Sequence, residues 1–155
     1  MQIFSWMTVI LFYFAAIEGF PTVVPDPIPC FLALERDFFF EPIVSQGLSL
    51  YNVRQELWIP INQLLRKKSV EIPQRMKERT SFMVPNPIEY PMQKGKTARI
   101  LKEVLLEVFK EVMSEYRSYE VPNPDLIFDY IFLQRFPDFV RCFGSEVMSL
   151  KPKNV

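Results

Sequence analysis

From Ser49 onward the apolar positions of this chain recur with helical spacing. Leu50, Val53, Leu57, Ile61, Leu64 and Leu65 fall three or four residues apart, which lines them up on one face of a helix. Pro60 interrupts that run and lacks the N–H that would reach the carbonyl of Glu56, so a kink or a fresh start is expected there. A short helix is predicted from Pro73 to about Phe82. The longest stripe, Ile100, Leu101, Val104, Leu105, Val108, Val112 and Tyr116, predicts a central helix from Thr97 to about Tyr119, with Gly95 and Thr97 marking its start. Asn123-Pro124-Asp125 reads as a cap and first turn for a helix over Leu126 to Phe136, apolar nearly all round and therefore buried. Pro137-Asp138 restarts the chain for a turn or two around Cys142, and Gly144 is the expected stop. A frayed tail follows from Ser149 to Val155.

Upstream the pattern changes. Cys30 to Val44 is short and aromatic, and its periodicity fits a brief helix ending near Phe40 or a strand, with the helix preferred. Pro21 to Pro29 holds four prolines in nine residues, a density that favours an extended polyproline II arm. Ile3 to Ile17 is an apolar run without a charge, closed by Glu18, Gly19, Phe20 and Pro21. At about 1.5 Å per helical residue it would reach about 22 Å, short of a hydrocarbon layer, so it reads as a signal-peptide core with small residues for cleavage near Ala16 or Gly19. The n-region carries no Lys or Arg, which leaves an uncleaved anchor and a buried first helix as the competing readings.

These elements amount to an all-α fold: an irregular bundle of four to five helices with proline-rich connections. The organisation expected is a signal peptide (or uncleaved anchor) at 1–19, a proline- and aromatic-rich arm at 20–44, a helical domain at 45–148 and a flexible tail at 149–155. Hydrophobic residues make up 49% of the 155, enough for a real core. A valine-proline motif occurs three times, as Val24-Pro25-Asp26-Pro27, Val84-Pro85-Asn86-Pro87 and Val121-Pro122-Asn123-Pro124. The unequal spacing excludes a solenoid period and suggests rigid joints before helices, with Asn or Asp as a cap or turn; the sharper reading is a polyproline ligand for an aromatic groove.

Charge sums to zero, so no long-range field draws the molecule to nucleic acid or anionic lipid. The charges are segregated, however. Residues 54–102 carry a balance of +7 and residues 103–146 one of −5. Glu103, Glu107, Glu111 and Glu115 stand at successive i+4 positions, where like charges repel and a cationic counterpart is wanted. They are the candidate protein-contact residues, as a ridge for a basic partner or for the chain's own Arg66-Lys67-Lys68; the plain alternative is a solvated face.

Histidine does not occur, which removes the usual general base, the usual orienting partner of a nucleophile and the commonest metal ligand. No GxSxG, HExxH, Walker A or GxGxxG pattern is present. The expectation is therefore no enzyme, no catalytic residue, no metal and no cofactor. Cys30 and Cys142 are the candidate disulfide if the leader delivers the chain to an oxidising lumen; otherwise they are two buried thiols. The function expected is that of a secreted, non-catalytic helical binding protein, acting through a protein surface or through an apolar ligand cavity lined from Phe38 to Phe40 and Phe128 to Phe143. The alternative is an intracellular or membrane-anchored adaptor. Partners expected are a protein or a small apolar ligand, not nucleic acid, and membrane only if the leader is retained.

Overall fold

The computed structural model describes residues 27–81 and 90–153; the leader and the second valine-proline copy lie outside them. The described residues form six α-helices and two short 3-10 turns, with no strand. The helices are α1 (Pro27–Asp37), α2 (Glu41–Leu50), α3 (Trp58–Ser69), α4 (Ile72–Thr80), α5 (Tyr90–Met113) and α6 (Pro124–Phe143). The 3-10 turns are Gln55–Leu57 and Ser145–Leu150. The fold is all-α as expected, with somewhat more helices than four to five.

Every one of the six carries a proline among its first three residues: Pro27, Pro42, Pro60, Pro73, Pro91 and Pro124. In the first turn the missing N–H has no intrahelical partner to lose, and the fixed φ is already helical. Prolines therefore start these helices instead of breaking them. At α2, α3, α4 and α6 no side chain forms a hydrogen bond at the N-cap, Asn123 included. The first and third valine-proline copies both place their second proline at a helix start.

Several boundaries differ from expectation. The run from Ser49 is not one helix, because Asn52 adopts a positive φ of 61° and the chain turns before Pro60 opens α3. The 20–44 arm is instead largely folded, since α1 covers its last prolines, and Leu34, Phe38 and Val44 are core residues. A boundary at 44 falls inside α2. Helix α5 begins seven residues before Thr97, and Gly95 lies within it, where an added Cβ would sit 3.4 Å from Cβ of Glu146. It ends at Met113, where Ser114 Oγ donates to the carbonyl of Glu111 and the chain tightens into turns. Helix α6 runs straight through Pro137, which faces solvent, and stops at Gly144 with φ 85°. The tail is held at its start, where Lys102 Nζ donates to the carbonyl of Leu150 at 2.9 Å, and the turn leading into it buries Val147.

Helix α5 is the centre, packed by α3, α4, α6 and the C-terminal turn. Its buried face is Ala98, Leu101, Val104, Leu105, Val108, Phe109 and Val112. Helix α6 supplies an aromatic spine in which Phe132 meets Phe128, Phe136 and Phe139 at 6.1, 6.1 and 4.7 Å and Phe139 meets Phe143 at 5.7 Å. Phe38 from α1's C-terminal edge enters this spine within about 6 Å of Phe128, Phe132 and Phe139. Helix α2 approaches α6 closely because Gly47 has no side chain: a Cβ there would meet the Tyr130 ring at 3.1 Å. Tyr130 then donates its hydroxyl to Gln46 Oε1 at 2.9 Å.

Candidate functional site

Of the four candidate glutamates, two are used internally. Helix α4 lies along α5 and turns Arg75 onto it, where the guanidinium bonds Glu107 at 2.9 Å, Glu111 through both oxygens at 2.8 and 2.9 Å, and Glu71 at 2.7 Å. Arg79 donates to both oxygens of Glu107 at 2.8 Å, and Lys68 reaches Glu111 at 2.8 Å. The Arg75 and Lys68 hydrogen bonds hold the Glu111 carboxyl down at about 2, and its bonds raise both Arg75 and Lys68. The middle of the ridge thus meets the chain's own cations. Lys68 is one of the three expected partners, while Arg66 turns to Glu41 at 3.7 Å. Glu103 and Glu115 are exposed and make no ion pair among the described residues.

Cys30 and Cys142 form a disulfide with Cα atoms 5.7 Å apart, the ordinary span for such a bridge. It ties α1 to the last turn of α6. Phe31, one residue beyond Cys30, packs edge-on to Phe143 at 5.6 Å.

Two clefts flank the corner between α1 and α2 and share Asp37 and Phe40. The first, about 570 Å³, continues over Arg36, Phe39, Pro42, Asn62, Arg66, Val70 and Pro73. The second, about 480 Å³, is bounded by the Cys30–Cys142 bridge, Arg135, Asp138 and Arg141. Phe40 stands between them 51% exposed, and Val70 on the rim is 76% exposed. The neighbouring rings explain this: Phe38 is taken by the α6 spine and Phe39 stacks on Phe109 at 5.8 Å, so the third ring of the run has no core left to enter. Neither cleft is lined by the α6 phenylalanines, which fill the core against one another.

Behind this corner lies a group that sequence reasoning missed. Glu35 is 2% exposed, and its Oε1 has no hydrogen-bond partner. Burial alone pushes its carboxyl up to about 7. A single Glu between Leu34 and Arg36 carries no sign of this, because the aromatic run after it breaks the helical periodicity that would assign its face.

Among the described residues no helix is long and apolar enough to cross a membrane. Comparison with protein-family models, with curated proteins and with solved structures returned no match for this chain. The reading of function therefore rests on the geometry. The disulfide is compatible with an extracellular protein.

Proposed function

We propose that this chain is a secreted, non-catalytic helical binding protein that acts through a protein surface, the corner around Phe40. The observation that carries the reading is a half-exposed phenylalanine between two adjoining clefts, with exposed Val70 beside it and Arg36, Arg66, Arg135 and Arg141 around it. Protein interfaces are enriched in aromatic and arginine side chains, and an aromatic anchor within a polar rim is the usual form of a hot spot. The internal neutralisation of Glu107 and Glu111 favours this corner over the acidic ridge. The dense ring packing of α6 favours a surface over an interior ligand cavity. The bridge, with the uncharged leader pattern before it, supports release into an oxidising compartment.

The test has two arms. Intact mass of the protein released into medium should be short of the full chain by roughly sixteen to nineteen residues; a cytosolic product still bearing the leader turns the reading toward an adaptor inside the cell. A photo-crosslinking side chain in place of Phe40 should give a defined protein adduct that Val70→Glu abolishes, while the same group at Tyr119, also exposed, gives none. Equal labelling at both positions, or an adduct indifferent to Val70→Glu, rejects the corner as the contact.

A further inference from the structure

Helix α1 brings a covalent tether, a ring anchor and an unpartnered buried carboxyl into a single stretch. Cys30 is bridged to Cys142, Phe38 lies in the α6 spine, and between them Glu35 is 2% exposed with its Oε1 buried and without a hydrogen-bond partner. A buried carboxylate without a cation or hydrogen-bond donors is strongly disfavoured, so this position tolerates the neutral acid and resists the charged form.

No neighbouring charge changes that balance. Helix α1 packs against α6 and α4. On α4, Arg75 and Arg79 are committed to Glu71, Glu107 and Glu111, and Glu78 accepts from Gln74, while Lys77 is exposed. On α6, Asp138 pairs with Arg141 at 2.7 Å and stands 3.6 Å from Arg135 Nε, which is buried without a hydrogen bond beside Ala33 and Leu34 but does not act on the Glu35 carboxyl. On α1 itself, Arg36 pairs with Asp37 in solvent. Desolvation is the sole cause that acts on Glu35.

The residues that follow Glu35 directly are Arg36 and Asp37, and Phe40 closes the same corner. Whatever unseats Glu35 therefore moves one wall of both clefts.

We propose that α1 is a proton-gated latch: with Glu35 neutral the helix is seated and the Phe40 corner is assembled, and ionisation of Glu35 lifts the helix and dismantles the corner. The Cys30–Cys142 bridge keeps the lifted helix attached, so the motion is a local and reversible opening. The regulated object is the proposed Phe40 binding corner, and in that respect the inference rests on that reading. The latch itself is tested without any partner.

Hydrogen exchange of the full-length, oxidised protein reads the opening directly. Corrected for intrinsic base catalysis, exchange at the α1 amides around residues 34–38 should rise by roughly tenfold or more between about pH 5.5 and about pH 8.5, with α5 amides unchanged. In Glu35→Gln, and in Glu35→Met as a second variant of different polarity, that rise should vanish. The Glu35 carboxyl carbon should titrate near neutrality in the wild type. A wild-type profile flat across the range, a carboxyl that titrates in the ordinary acidic range, or a rise of the same size in the variants overturns the latch. If the latch holds while the crosslink at Phe40 fails, the switch stands and the binding site lies elsewhere.

Discussion

Glu35 shows how one residue can set the pH response of a small protein. Its folded-state pKa is raised to about 7 from 4.5, so the folded state binds the proton more tightly than the unfolded chain does. Its stabilising contribution is then complete below about pH 4.5 and is lost as pH rises through about 7. At full burial the difference is worth about 3 kcal/mol. Glu35→Gln should raise the melting temperature at about pH 8 and change it little at about pH 4.5; thermal melts at the two pH values with an identical offset would show that Glu35 is not the titrating group. At the same scale, proline acts as a start signal throughout. The first-turn placement was legible for Pro60, Pro73 and Pro124, where a helical pattern is visible on the C-terminal side, and not for Pro27, Pro42 or Pro91.

At the scale of elements, the α4–α5 pair is an electrostatic clamp centred on Arg75. Its side chain is 19% exposed and those of its two α5 partners, Glu107 and Glu111, are each 37% exposed, so the interaction is screened and worth less than its bond count suggests. Arg75→Met should cost about 1 to 2 kcal/mol in urea unfolding, with most of that cost shared with Glu111→Gln in a double-mutant cycle. Simple addition of the two costs would show that the pair does not interact. Glu111 has the opposite pH sign to Glu35: its pKa is depressed to about 2, so its contribution is present above about pH 4.5 and lost as pH falls toward 2. The α5 stripe was readable because seven apolar residues keep helical register without a break. Helix α2 was not, because its core contacts are Val44, Gly47 and Leu48, and a glycine that permits close approach to α6 leaves no apolar mark. The acidic ridge was visible as a stripe, whereas its counterpart required α4 to lie antiparallel beside it, a tertiary fact. Phe40 reads as core with Phe38 and Phe39, and only the competition of three adjacent rings for one spine turns it outward.

For the molecule as a whole, the bridge joins residues 112 positions apart. In the chain-entropy treatment a loop of that size stabilises by about 4 to 5 kcal/mol, chiefly by restricting the unfolded chain. Reducing agent, or Cys30→Ser with Cys142→Ser, should lower the melting temperature by several degrees; an unchanged melt would dismiss the bridge. This pairing was the most legible long-range feature of the sequence, since two cysteines admit one intramolecular partner each.

That bridge also makes most of the polypeptide a covalent ring. A protease that severs any one peptide bond between residues 31 and 141 produces two pieces that still migrate as a single species until a thiol is added. Both α1 and the end of α6 stay on the same particle after such a nick, so digestion of the interior, including the stretch between α4 and α5, goes unnoticed on a non-reducing gel and appears at once on a reducing one.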